Sequence, residues 1–343
     1  MRTRVIGVGA AMVLALAGCS GGQPPVATST SSGASASPSS AAPSPSETPS
    51  SNSSNLGVEI VPKRTDIVYA DDGVPEHKLD LYMPTDKGTG PFPTVVWVHG
   101  GGWAGGEKGD INNTEIKIDQ FRDLLLDNGY AIAAVEYRLM PKVKFPVPMQ
   151  DVAAAVRYLK SHSGEYGLDP DRFVLGGDSA GGHLATMTAM TWDKPDLQGT
   201  LGVTEGDTKV RAIVDYYAIF DLTKRTEDQQ NGPCQRAKPG AESSHGQLIG
   251  ADPDSPEGEP IAAKASPMTY VNAQTPPTII FYGSQDCTTP PAQHERFAEA
   301  LNAAGVPFEM TRVEGAPHAN PRFFETQEYK DKLIAFLDAH VKN

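Results

Sequence analysis

The hydrophobic pattern of the chain changes near residue 57, where short apolar runs begin to alternate with amphipathic stretches. This alternation is typical of repeated β-α units. Eight β-branched or aromatic runs predict strands at 65–70, 78–83, 94–99, 131–138, 172–176, 210–217, 278–283 and 308–313. Stretches with helical spacing lie at 115–128, 148–163, 180–191, 292–304 and 325–340, and Val152, Val156 and Leu159 form one apolar stripe. The pattern predicts one α/β domain over 57–343, with a mostly parallel eight-stranded sheet and helices on both faces.

One segment of this domain lacks the pattern. Residues 221–268 are polar and rich in glycine, proline and acids. We expect them to form an insertion, or cap, over the carboxyl edge of the sheet rather than a second core.

The first 56 residues have a different composition. Arg2 and Arg4 precede a short apolar run, which is typical of a signal peptide over 1–18, and Leu16-Ala17-Gly18-Cys19 resembles the bacterial lipobox. An ordinary secretory signal that happens to contain a cysteine is the alternative. Residues 19–56 are almost entirely Ser, Pro, Ala, Thr and Gly, which predicts a disordered tether. The sequence therefore predicts a domain anchored through acylated Cys19 on the extracytoplasmic side of a bacterial membrane.

The charge balance narrows the range of partners. The formal net charge is −13, from 29 basic and 42 acidic side chains. Such a surface repels nucleic acid and anionic headgroups, so no nucleic-acid partner is expected. The oligomeric state stays open.

The sharpest motif is Gly177-Asp178-Ser179-Ala180-Gly181, between a predicted strand and a predicted helix. A G-x-S-x-G pentapeptide in this position predicts a tight turn that exposes a nucleophilic serine. A coincidental glycine-rich turn is the alternative. The motif makes Ser179 the candidate nucleophile.

A second motif, His99-Gly100-Gly101-Gly102-Trp103, directly follows the strand predicted at 94–99. Consecutive glycines allow amide N–H groups to converge on a developing oxyanion. We expect Gly101, Gly102 and Ala180 to supply these donors. A phosphate-binding loop is disfavoured because no Gly-Lys-Ser or Gly-Lys-Thr follows.

These two motifs, together with Tyr137-Arg138-Leu139, Phe145-Pro146 and residues 151–158, resemble the α/β hydrolases. The resemblance is to their hormone-sensitive-lipase-like and feruloyl/acetyl-esterase (BD-FAE-like) branch, and it runs from about residue 60 to the C-terminus. It implies the α/β-hydrolase fold and a serine, an acid and a histidine in that chain order.

The acid in this order falls on Asp286, just beyond the strand predicted at 278–283. Glu314 and Asp221 are the other candidates for the catalytic acid. The alternative role for Asp286 is to cap a turn. The histidine falls on His318, in the loop after the last predicted strand. His99 belongs to the second motif and His183 lies two residues after the first, so a structural hydrogen bond is the better interpretation for both. Relatives often have Gly-Phe after this histidine, whereas Ala319-Asn320 follows it here.

The resulting hypothesis is a serine carboxylesterase that cleaves short-chain or aromatic acyl esters through an acyl-enzyme, without metal or cofactor. The substrate would be a small-molecule or polysaccharide-linked ester. The candidate pocket walls are Trp103, Tyr137, Tyr216, Tyr217 and Phe220. An amide, formamide or peptide hydrolase on the same residues is one alternative, and a non-catalytic binding protein is another.

Two cysteines remain after Cys19. Cys234 lies in the predicted insertion and Cys287 directly follows Asp286. Outside the cytoplasm they are able to form a disulfide that ties the insertion to the loop of the acid. Two separately buried thiols are the alternative.

Overall fold

One eight-stranded sheet forms the centre of the fold, and each strand overlaps one of the eight predicted runs. A computed structural model describes residues 63–234 and 240–342. The strands are β1 Lys63–Val68, β2 Lys78–Tyr82, β3 Phe92–Val98, β4 Ala131–Val135, β5 Leu168–Asp178, β6 Ala212–Tyr216, β7 Thr278–Gly283 and β8 Phe308–Val313. Their order in the sheet is β1-β2-β4-β3-β5-β6-β7-β8, and β2 pairs antiparallel with both of its neighbours. The remaining pairs are parallel, which confirms the mostly parallel sheet and the α/β-hydrolase fold.

The central strand β3 shows why these segments form a sheet buried on both faces. All seven of its residues are buried. Val96 and Val98 pack into the core on one face, and Val95 and Trp97 pack into the core on the other. A nearly continuous apolar run is what a strand covered on both faces requires, because alternate side chains point in opposite directions.

Helices cover both faces of the sheet. In chain order they are α1 Ile118–Asp127, α2 Val147–Ser161, α3 Ser163–Tyr166, α4 Ala180–Met190, α5 Pro195–Gln198, α6 Arg225–Asn231, α7 Ser244–Ile249, α8 Glu259–Lys264, α9 Pro291–Ala303, α10 Arg322–Glu325 and α11 Gln327–Leu337. Short 3₁₀ turns lie at Lys108–Asn112 and Pro267–Tyr270, and a π-helical turn spans Asp338–Lys342. Apolar residues of α2, α4 and α9 belong to one core, and those of α1 and α11 belong to the other.

Two predicted helices differ from the observed ones at their ends. The helix predicted from residue 115 begins at Ile118, because Lys117 has a left-handed φ of 66° and the Asn113 side chain accepts the amide of Glu115. The helix predicted over 325–340 is interrupted at Thr326, whose backbone is extended, and it ends in the π-helical turn. Local turn chemistry outweighs helical spacing at both places.

The predicted insertion is partly helical. It contains α6, α7 and α8, and Leu248, Ile249, Ala262 and Ala265 are buried in the same core as α2 and α4. It therefore packs on the main domain and has no core of its own within the described residues. A disulfide joins Cys234, just after α6, to Cys287, and their Cα atoms are 5.5 Å apart.

The predicted signal peptide (1–18), the tether (19–56) and the lipidation residue Cys19 lie outside the described residues. Across 63–234 and 240–342, no helix is long and apolar enough to cross a membrane. The same ranges contain no cluster of three or more His, Cys, Asp or Glu side chains arranged to hold a metal ion.

Candidate active site

The turn between β5 and α4 exposes Ser179. Its backbone has φ 51° and ψ −117°, a region that non-glycine residues rarely occupy, and its amide donates to the Tyr216 carbonyl at 2.9 Å. A Cβ on Gly177 would lie 2.5 Å from the Gly181 carbonyl carbon, and one on Gly181 would collide with the Val98 carbonyl. The two motif glycines are required because strand and helix approach so closely here.

The structure brings Ser179 together with His318 and Asp286. These residues follow β5, β8 and β7, whose carboxyl ends lie at the same edge of the sheet. The His318 Nε2 atom lies 2.9 Å from Ser179 Oγ, and its Nδ1 atom lies 2.7 Å from Asp286 Oδ2. An ionised carboxylate only accepts hydrogen bonds, so Nδ1 carries the proton and Nε2 is free to accept the serine hydroxyl proton. This is the geometry that activates a serine nucleophile.

Asp286 is fully buried and held by its own loop. The amides of Thr288 and Thr289 donate to its Oδ1 atom at 2.7 and 2.8 Å. Burial alone would raise the pKa of Asp286, but the hydrogen bond and charge of His318 and the two amides outweigh it, and the pKa is lowered. Asp286 is therefore ionised at neutral pH and oriented toward His318.

The two rival acids have other partners. Glu314 accepts a hydrogen bond from the Ser284 hydroxyl at 3.1 Å. Asp221 accepts the amide and hydroxyl of Thr223 and lies 3.7 Å from an Arg296 nitrogen.

The glycine-rich motif after β3, which we call the oxyanion loop (residues 99–103), lies against the turn of Ser179. The Gly100 amide donates to Asp178 Oδ1 at 2.9 Å, and burial raises the pKa of Asp178 to about 6. Gly102 has φ +62°, which permits the reversal of the chain, and it lines a cavity at Ser179 together with Ala180. Gly101 is not among the described residues that line this cavity, and its carbonyl accepts the amides of Ala104 and Gly105. Of the three predicted donors, two border the cavity.

His99 and His183 hold the oxyanion loop in place. His99 Nδ1 lies 2.8 Å from the Gly100 carbonyl and Nε2 lies 3.3 Å from Glu136. The Trp103 indole donates to His183 Nδ1 at 3.2 Å, which leaves His183 Nε2 to donate to the Ala265 carbonyl at 2.7 Å. Burial lowers the pKa of His183 to about 4, so its ring is neutral. It links the oxyanion loop to the end of the insertion.

The site cavity at Ser179 is small, with a volume of about 30 Å³. Its described lining residues are Gly102, Trp103, Ser179, Ala180, Ile219, Arg225, Ser244, Thr288 and Thr289. The motifs did not predict Ile219, Arg225, Ser244, Thr288 or Thr289. Arg225 and Ser244 belong to the polar insertion, whose fold over the site has no periodic signal in the sequence.

Of the five aromatic residues predicted as pocket walls, the structure places one at the cavity. Trp103 lines the cavity, whereas Tyr137, Tyr216, Tyr217 and Phe220 are at most 2% exposed and do not. Their side chains form packing layers instead, because large rings at strand ends contribute most stability when fully buried.

Each of these four rings has an identifiable packing role. Tyr137 stacks on His99 at 4.3 Å, Tyr216 on Phe281 at 4.9 Å and Phe220 on Phe297 at 3.9 Å. The fourth, Tyr217, lies edge-on to His318 with ring centroids 4.8 Å apart and limits movement of the imidazole.

Comparison with known proteins agrees with this architecture. The chain is 29% identical over 272 residues to the esterase LipQ of Mycobacterium tuberculosis, covering 79% of this chain and 60% of LipQ. It is 30% identical over 237 residues to the probable carboxylic ester hydrolase LipM of the same organism, covering 69% and 51%. The chain thus spans about half to three fifths of these curated relatives.

A solved structure described as a truncated carbohydrate esterase from gut microbiota superposes with a TM-score of 0.70 at 25% identity, covering 84% of this chain and 99% of that one. The sequence profile of the BD-FAE family matches residues 79–301, a range that includes Ser179 and Asp286. Because this match spans more than half of the chain, the chain belongs to the BD-FAE family.

Proposed function

We propose that this protein is a serine carboxylesterase that uses Ser179, His318 and Asp286. The observation that carries the proposal is the continuous hydrogen-bonded chain from Asp286 Oδ2 through His318 to Ser179 Oγ, which ends at a cavity bordered by Gly102 and Ala180. The esterase names of the relatives support the same reaction class.

The reaction follows from the positions of these atoms. His318 Nε2 takes the Ser179 hydroxyl proton as Oγ attacks the ester carbonyl carbon. The amides of Gly102 and Ala180 stabilise the negative charge on the carbonyl oxygen. His318 then gives the proton to the departing alcohol, and water hydrolyses the acyl-enzyme with His318 again acting as the base.

The cavity volume favours a short acyl group. A water molecule requires roughly 10–15 Å³ of such space, so about 30 Å³ accommodates about two water-sized groups. The carbonyl oxygen and methyl group of an acetyl ester match this space, which is too small for an aromatic ring. Among the acyl groups considered from the sequence, the short-chain ones are therefore the better supported. A carbohydrate-linked alcohol is proposed from the description of the similar solved structure.

The test is a panel of p-nitrophenyl esters from C2 to C16, with acetylated xylan, feruloyl esters and N-formylkynurenine beside them. We expect the highest kcat/KM at C2 or C3, and we expect Ser179→Ala to lose at least about 10³-fold with little change in Tm. The matched control is Ser161→Ala, which removes an exposed hydroxyl at the end of α2.

Three results would count against the proposal. Retained turnover in Ser179→Ala would exclude Ser179 as the nucleophile. Failure of a fluorophosphonate to label the wild type at Ser179 would favour a non-catalytic binding protein, whereas N-formylkynurenine as the preferred substrate would favour amide hydrolysis.

A further inference from the structure

The hydroxyl of Thr289 lies inside the hydrogen-bonded chain of the proposed triad, and the reaction described above does not use it. Thr289 is 2% exposed. Its Oγ1 atom lies 2.9 Å from Asp286 Oδ2, 2.8 Å from the Tyr217 carbonyl oxygen and 3.3 Å from His318 Nδ1. The Asp286 oxygen that it contacts is the one that faces the His318 ring at 2.7 Å. The hydroxyl therefore meets the acid and the base at the point where they interact.

The hydroxyl has one proton, and two acceptors compete for it. Asp286 is ionised, whereas the Tyr217 carbonyl is neutral, and a hydrogen bond to a charged acceptor is the stronger one. The His318 Nδ1–H also points to Asp286, because its distance of 3.3 Å to Thr289 Oγ1 is beyond the usual range of an N–H···O bond. Asp286 Oδ2 thus receives two donors, one from the base and one from the hydroxyl.

The amide and the hydroxyl of Thr289 bind different oxygens of this carboxylate. The amide donates to Oδ1 at 2.8 Å, beside the amide of Thr288. Most residues at this position would keep the amide, whereas the second bond depends on the side chain. A hydroxyl proton on Oδ2 partly offsets the negative charge that faces His318, so the carboxylate attracts an imidazolium less strongly. The neutral base then persists to lower pH.

We propose that the Thr289 hydroxyl is a positioning group of the triad, which donates to Asp286 Oδ2, fixes this oxygen against His318 and extends the activity of the enzyme to lower pH. This inference rests on the proposed esterase activity and adds a further residue to its hydrogen-bonded chain. Thr289 acts through Asp286 and not on the ester.

The experiment is the pH profile of kcat/KM for Thr289→Val on the best short-chain ester. Valine has the shape of threonine without the hydroxyl, and it keeps the amide that binds Asp286 Oδ1. We expect the acid limb, which reports protonation of the base, to move to higher pH by about 0.5–1 pH unit. At the optimum, kcat should fall by about 3- to 10-fold, the range of one hydrogen bond. Thr289→Ser supplies a hydroxyl again and should return the limb and most of kcat.

Besides the acid, other titratable side chains face His318. Tyr217 lies edge-on to its ring, and Asp178 and His294 interact with it electrostatically. All three stay in place in Thr289→Val. The difference between the two profiles therefore reports the hydroxyl.

The matched control is Thr223→Val, which removes a hydroxyl that donates to Asp221, an aspartate outside the triad, at 2.6 Å. It should keep both the acid limb and kcat. Steric disturbance of the cavity, which Thr289 also lines, would change KM without moving the limb. Thr289→Ala removes the hydroxyl with a smaller side chain and should move the limb in the same direction, which gives a second measurement where the valine variant does not fold.

The outcomes separate this inference from the proposed function. An acid limb that stays at the wild-type pH without the hydroxyl would overturn the inference and leave the esterase activity standing. A limb that moves to lower pH would also overturn it, because the hydroxyl would then donate to Tyr217 and accept from His318. If the wild type hydrolyses no ester, the proposed function fails, and the rate of fluorophosphonate labelling of Ser179 at several pH values replaces kcat/KM as the readout for Thr289. A wild type that is not labelled at all would overturn both.

Discussion

At the scale of single residues, Asp286 shows how the loop after a strand selects one acid among several. Its carboxylate receives two backbone amides and the His318 ring, whereas Glu314 binds Ser284. An acid that fixes the imidazole tautomer needs a carboxylate that cannot rotate. The amides of Thr288 and Thr289 provide that restraint.

We therefore expect Asp286→Asn to lower kcat by about 10³- to 10⁴-fold, because an amide permits the wrong imidazole tautomer. The rival acids supply the controls. Glu314→Gln and Asp221→Asn should retain activity within a few-fold, as measured by kcat on the best short-chain ester. A larger loss in either control than in Asp286→Asn would reassign the acid.

Asp178 gives a prediction for the dependence of stability on pH. Its pKa is raised to about 6 in the folded protein, above its ordinary value of 3.8. A raised pKa means that the folded state binds the proton more tightly, so this contribution to stability is full below pH 3.8 and is lost as the pH rises through about 6.

Asp178→Asn removes this titration and keeps a side-chain oxygen for the Gly100 amide. Relative to wild type, we expect the variant to gain stability between pH 4 and pH 8, by at most about 3 kcal/mol because the side chain keeps some contact with solvent. Urea unfolding at several pH values measures this difference. A difference that stays constant with pH would contradict the raised pKa.

At the scale of elements, periodicity predicted the parts of the site that follow strands. The runs at 278–283 and 308–313 match β7 and β8, and the loops after them place Asp286 and His318. Arg225 could not be predicted in the same way, because the short helix α6 contacts the cavity through tertiary packing. The rings of Tyr216 and Phe220 are buried in the core, and the sequence did not reveal this because hydrophobic runs do not show which aromatic side chain faces a cavity and which faces the core.

The disulfide connects the insertion to the loop that contains Asp286. Cys234 ends the segment that begins with Arg225, and Cys287 lies between Asp286 and the two threonine amides that orient it. Reduction removes the covalent link between these two segments. The ion pair of Asp228 with Arg296, at 2.6 Å, still holds α6 on α9.

We expect reduction to lower the free energy of unfolding by up to about 4 kcal/mol, from the entropy of a 53-residue separation in the chain-entropy model. It should also lower kcat, because the loop of Asp286 gains freedom. Unfolding and ester hydrolysis with and without dithiothreitol measure both effects. The Cys234→Ser/Cys287→Ser double variant should not respond to the reductant, and an unchanged wild type would contradict the coupling.

At the scale of the whole molecule, the N-terminal sequence predicts where the domain acts. We propose that Cys19 is acylated and that the Ser- and Pro-rich tether separates the domain from the membrane. The wild type should partition into the detergent phase of Triton X-114, and Cys19→Ser should move to the aqueous phase with unchanged kcat. An intact mass that shows an unmodified Cys19 would refute the anchor.

The insertion and the sheet carry different parts of the site. Ser179, Asp286 and His318 follow strands of the sheet, whereas Arg225 and Ser244 reach the cavity from residues 221–268. The residues proposed for bond cleavage and the insertion residues that line the cavity therefore lie in different segments of the chain. Exchange of this one contiguous segment between homologues would produce enzymes with new substrates while the machinery of hydrolysis is inherited intact, and the cysteine of the insertion would have to be exchanged with it.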